Sequence, residues 1–117
     1  MDVARVEGVL QQDRAATRER RKQLRRDLDD VIAAAADVAT DDEHDPEGAT
    51  IAYERSRTQA LLEQADTHLG EIASALERLQ SGSYGICEAC GATIAEERLE
   101  ARPVVRTCIA CASRVAR

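Results

Sequence analysis

The densest chemistry in this 117-residue chain sits in four cysteines. Cys87 and Cys90 form one C-x-x-C pair, Cys108 and Cys111 form a second, and 17 residues separate the pairs. Each pair can present two thiolates to one metal from a tight turn, and the segment between them is long enough to close a tetrahedron. A thiolate at every corner leaves no open position for water, so the metal read from this pattern is one structural Zn²⁺. An iron–sulfur cluster would use the same four thiolates. Two disulfides need an oxidising compartment, and a redox C-x-x-C needs a thioredoxin-like strand and helix context. Gly91 follows the first pair, where a knuckle can require positive φ. Ile94, Leu99, Val104 and Ile109 are the candidate core around the metal.

A second cluster is acidic. Residues 37–47 hold Asp37, Asp41, Asp42, Glu43, Asp45 and Glu47 and no base, which matches the net charge of −6 of the whole chain. The cluster lacks the EF-hand pattern, and as a polar loop it would simply be solvated. A third cluster is basic: Arg14, Arg18, Arg20, Arg21, Lys22, Arg25 and Arg26. It reads either as a contact stripe for an acidic partner or as one side of cross-helix pairs, with Arg26 near Glu63 and Arg18 near Glu71. His44 reads as loop and His68 as a flanking helix residue, neither with a companion ligand. Tyr53 reads as packing or as a hydroxyl anchor. No nucleophile–base pair and no open metal position are present, so an enzyme is not expected.

Helices must position these groups. Leu24, Leu28, Val31, Ala35 and Val38 recur at steps of four and three, a heptad seam that extends backwards through Arg21, Thr17, Arg14, Leu10, Glu7 and Val3. A second seam runs Ile51, Arg55, Thr58, Leu62, Ala65, Leu69, Ile72, Leu76 and Leu79. Between them Asp45 before Pro46 reads as an N-cap with proline at the first helical position, and Ser81-Gly82 reads as a helix end. Two helices joined by a short turn fold back as an antiparallel hairpin. One register, with partner numbers summing to about 89 or 90, pairs nearly every seam layer, Leu28 with Leu62 and Leu10 with Leu79 among them. The expected fold is mainly α: a long antiparallel coiled-coil hairpin over 1–80, with its acidic tip near 40–48, then a small four-cysteine zinc finger over 81–117 with a short C-terminal helix.

Composition agrees with that plan. Of the hydrophobic residues 21 are Ala, Leu, Ile and Val supply 23, and Phe and Trp are absent, so a single ordinary globular core is excluded. Ala, Glu, Lys, Leu and Arg make up about half the chain, the balance of long helices. No apolar run is long enough to span a membrane. Asp2, Arg5 and Glu7 rule out reading the first residues as a signal peptide, so a cytoplasmic, reducing location is expected. From residue 101 onward Arg102, Arg106, Arg114 and Arg117 form a basic tail without acids, yet the chain as a whole is acidic and only Tyr84 offers the finger an aromatic platform. Nucleic-acid binding by the finger is therefore a minor reading, and sequence-specific DNA binding is not expected.

The run Tyr84-Gly85, Cys87, Cys90-Gly91, Ile94, Arg98-Leu99, Ala101-Arg102-Pro103, Cys108 and Cys111 behind an acidic-tipped hairpin resembles the DksA/TraR family. The resemblance is close over 84–111, whereas over 1–80 it rests on architecture and on Asp45-Pro46. It implies a bacterial transcription regulator that binds RNA polymerase, its hairpin entering the secondary channel and its finger forming a rigid base. It places Asp45, with Asp41, Asp42 and Glu43, at the polymerase active-site tip, and Arg98 and Arg102 at partner contacts. The family tip pattern D-x-x-D-x-A reads here as Asp45, Gly48 and Thr50, keeping the first acid alone. Glu71 and Ala112 stand where the resemblance leads one to expect bases, which implies a weak response to guanosine tetraphosphate. A hairpin that fills its own seam is expected to be monomeric. The other readings are a zinc-capped coiled-coil adaptor for a different protein and a nucleic-acid-binding finger.

Overall fold

The computed structural model describes residues 1–36 and 46–115. Four helices follow one another: α1 (Val3–Ala36), α2 (Pro46–Ser81), α3 (Glu96–Ala101) and α4 (Ile109–Val115). The first two form the helical hairpin and the last two belong to the finger. Helix α2 opens at Pro46, whose fixed φ suits a first helical position. It closes at Ser81, and Gly82 takes φ 81°, the left-handed C′ conformation that a residue with a Cβ resists. The acids at 41–45, Asp45 among them, lie outside the described residues, as do Val38 and His44.

The chain divides into two compact units, residues 1–15 with 70–117 and residues 16–69. In the 16–69 unit the seam is narrow. Thr17 and Leu28 from α1 and Thr58, Leu62 and Ala65 from α2 are buried, with Leu24, Val31, Ile51 and Leu69 half-buried beside them. Arg55 and Arg21 are seam positions by periodicity, yet both are exposed. A long cationic side chain in a two-helix seam gains more by carrying its charge to water than by filling a layer. Arg21 crosses to Asp66 as an ion pair, while Arg26 donates instead to Gln23 on its own helix at 2.8 Å.

The other unit has a broader core. Leu10, Ile72 and Ala75 join Tyr84, Cys87, Ile94, Leu99, Val104, Val105 and Cys111 in one buried cluster, edged by Val6, Leu76, Leu79 and Cys108. Full burial of Leu10 and Ile72 stabilises by roughly 1.5–3 kcal/mol each. Val3 and Glu7, the backward extension of the seam, are exposed. Ala75 and Arg78 lie off the seam and are buried. The reason is a second partner: finger residues cover this part of α2 and widen its buried arc beyond the stripe that a two-helix seam needs.

Candidate metal centre

Two knuckles and a short helix bring the cysteines together. Gly85 and Gly91 both take positive φ, 82° and 76°. After Gly85 the chain doubles back, and an isolated bridge joins Ile86 to Thr93. Cys87 N–H donates to the Ala92 carbonyl at 2.8 Å, and Gly91 N–H donates to the Cys87 carbonyl at 2.9 Å. Gly85 is also confined sterically, because a Cβ there would stand 3.1 Å from Met1 Cε and 3.4 Å from Leu99 Cδ1. On the second pair, Cys108 precedes α4 and its carbonyl accepts from Ala112 N–H at 3.0 Å, which sets Cys111 in the first turn. Glu88 N–H reaches the Arg106 carbonyl at 2.9 Å, and Arg106 Nε reaches Glu88 Oε2 at 3.0 Å, tying one knuckle to the other.

The four Sγ atoms lie within 4.8 Å of one another. Cys90 Sγ and Cys108 Sγ are 3.7 Å apart. Tetrahedral Zn–S bonds of ~2.3 Å require S···S separations of ~3.8 Å, whereas a disulfide would bring two sulfurs to ~2.05 Å. The donor set fits one structural Zn²⁺ with no free position. Cys87 and Cys111 are buried, Cys108 is intermediate and Cys90 is exposed. The backbone amide of Cys108 contributes most to holding the Cys87 thiol down to about 6. Cys108 is lowered as well, chiefly by the Cys111 amide. Cys111 is pushed up to about 12, above all by side-chain hydrogen bonding with Cys108. Arg114 Nη2 stands 3.5 Å from Cys111 Sγ.

Around the metal, Ile94, Leu99 and Val104 are buried as expected, but Ile109 is 69% exposed and Val105 takes its place in the core. Ile109 opens α4 on the side away from the cluster, and the turn from Pro103 directs both valines inward. Tyr84 is no aromatic platform: it is buried and donates its hydroxyl to the Pro103 carbonyl at 2.8 Å. Burial raises its pKa, with Arg78 opposing. Tyr53, expected to pack or anchor, is 69% exposed on α2.

Arg98 donates Nε to the Thr107 carbonyl at 3.0 Å, so it braces α3 against the residue before Cys108. The Arg102 side chain is exposed just past α3, where its N–H caps the Arg98 carbonyl at 2.9 Å. Sequence reasoning misses Arg78. Its guanidinium is buried and fans out to the carbonyls of Ser74, Val105 and Val104 at 3.3, 3.4 and 3.5 Å, with burial lowering its pKa. Its own carbonyl accepts from the Ser83 and Tyr84 amides at 2.9 and 3.1 Å. The one available signal is an arginine in the last turn of a helix, which is ordinary for a helix end.

Fold and site together define a class: a four-cysteine zinc-finger protein built on a helical hairpin. Residues 82–116 match the prokaryotic dksA/traR C4-type zinc finger. Over its finger and much of its hairpin the chain is similar to members of the DksA/TraR family. It is 42% identical over 66 residues to the Bacillus subtilis uncharacterized protein YteA, covering 56% of this chain and 28% of YteA. It is 30% identical over 94 residues to the Escherichia coli RNA polymerase-binding transcription factor DksA, covering 78% of this chain and 60% of DksA. The matches therefore span less than two thirds of these curated relatives. The structure of transcription factor DksA2 from Pseudomonas aeruginosa superposes with a TM-score of 0.79 at 26% identity, covering 97% of this chain and 82% of that one. Among the described residues no helix is long and apolar enough to cross a membrane.

Proposed function

We propose that this chain binds RNA polymerase and regulates transcription from the secondary channel, with the acidic segment near 40–48 as its working tip and the zinc finger as its base. The observation that carries this reading is the extent of the structural likeness, which runs through hairpin and finger alike to a protein named as a transcription factor. The 30% identity to an RNA polymerase-binding factor over most of this chain supports it independently. Charge supports it too: the acidic residues between the two long helices, Asp41, Asp42, Glu43 and Asp45 among them, would be drawn toward a catalytic centre holding Mg²⁺ and basic groups. Asp45 is the leading tip residue, with Asp41, Asp42 and Glu43 beside it, and Arg98 and Arg102 are candidate contacts at the base. The protein acts as a monomeric regulator in the cytoplasm and is not itself an enzyme.

The test is co-elution of the zinc-loaded chain with core RNA polymerase, followed by competition with an established secondary-channel factor. Binding that the competitor displaces, together with an Asp45→Asn variant that binds but no longer alters transcription, is the expected result. Binding without competition would place the chain on another polymerase surface. Absence of binding would favour the reading of a zinc-capped adaptor for a different protein.

A further inference from the structure

Residues 18–26 carry Arg18, Arg20, Arg21, Lys22, Arg25 and Arg26 against the single acid Glu19. Folding does not explain this density. The spacing sets like charges one turn apart at 18 and 22, 21 and 25, and 22 and 26, and each such pair costs a helix a few tenths of a kcal/mol. Among the described residues, cross-helix ion pairing draws on Arg21, through Asp66. Lys22 meets Glu19 at 3.9 Å and Arg25 meets Asp29 at 3.7 Å, but these are exposed pairs within α1, a kind that contributes little. Among the described residues Arg26 meets the neutral amide of Gln23. Arg18 and Arg20 have neither ion pair nor hydrogen bond among the described residues. The face is left strongly positive within a protein whose net charge is −6.

We infer that this face of α1 is a contact surface for the phosphate backbone of single-stranded RNA, engaged without regard to base sequence. Arg18, Lys22 and Arg25 fall on one side of the helix and span about 10 Å along its axis, room for two or three phosphates. The face exposes no aromatic or aliphatic anchor of the kind that protein interface cores bury. Its neighbours Thr17 and Leu28 are buried in the hairpin seam and Leu24 is half-buried. A single strand suits it better than a duplex. The duplex carries twice the charge per unit length and is rigid, so the net negative charge of the chain repels it more strongly. A flexible strand can follow a short cationic face. The surface is distinct from the finger and adds a nucleic-acid contact to the polymerase contact proposed above.

The experiment is fluorescence anisotropy of a fluorescein-labelled oligouridylate titrated with the full zinc-loaded chain, at 40 and 160 mM KCl and without polymerase. Its failure is thereby read separately from any failure of polymerase binding. With two or three phosphates engaged, affinity is expected to fall by roughly 7- to 18-fold between the two salts. The triple variant Arg18→Gln, Lys22→Gln, Arg25→Gln keeps good helix formers and is expected to bind at least tenfold more weakly, with unchanged circular dichroism and zinc content. No saturable binding at the lower salt, or equal binding by the triple variant, would overturn the inference. So would loss of binding on neutralising Arg102, Arg106 and Arg114 instead, or tighter binding to a duplex of equal length.

Discussion

Cys87 and Cys111 belong to one cluster yet stand far apart in protonation, the first held down to about 6 and the second pushed up to about 12. Near neutral pH the metal-free cluster therefore keeps a proton that Zn²⁺ must displace. Zinc binding at pH 7 is expected to release protons, visible as a dependence of calorimetric heat on the ionisation enthalpy of the buffer. Affinity should fall as pH drops, and more steeply once Cys87 is protonated as well. Cys111→Ser, at a buried ligand, should reduce zinc content from one ion per chain to nearly none. The ligand set is legible in the sequence because C-x-x-C spacing is itself geometry. Tyr84 is not: its value as a platform or as a buried strut depends on where the Pro103 carbonyl lies, and nothing local encodes that.

Helices α3 and α4 have six and seven residues, too few to persist alone. Ala95 provides no side-chain cap for α3, although Glu96 and Glu97 favour its N-terminal dipole. These elements are held by the cysteines, by the shared core and by Arg78, the strut from α2 into the Val104–Val105 segment. Arg78→Met keeps most of the side-chain volume and removes the donors. It should lower stability by about 1–3 kcal/mol, read as a fall in the midpoint of thermal unfolding with zinc still bound. Periodicity makes the long helices legible, and Pro46 and Gly82 mark their ends. It fails at Ala75 and Arg78, since a heptad describes one partner and this part of α2 has two.

For the molecule as a whole, metal and packing share the task of folding. A finger of about 35 residues is too small to be stable on hydrophobic burial alone, and here its core extends into the first turns of α1 and the last turns of α2. Removal of zinc by a chelator should raise amide hydrogen exchange across 1–15 and 70–115, while 16–69 retains its own buried seam and changes little. Mass-spectrometric exchange with and without the chelator checks this division. The acidic segment and the family likeness are legible in the sequence, because charge and motif spacing do not depend on tertiary contacts. The composition of the discontinuous unit is not, since its contacts join residues a hundred positions apart.

That discontinuity sets an order in time. Leu10 is synthesised 101 residues before Cys111, yet both belong to one buried cluster. During translation, residues 16–69 can pair as soon as α2 has emerged, because their contacts are comparatively local. The opening turns of α1 must wait, their apolar side chains uncovered, until the second cysteine pair leaves the ribosome. Metal capture is then the event that ends this exposure, so zinc supply during synthesis governs how long the nascent chain remains open to aggregation and proteolysis.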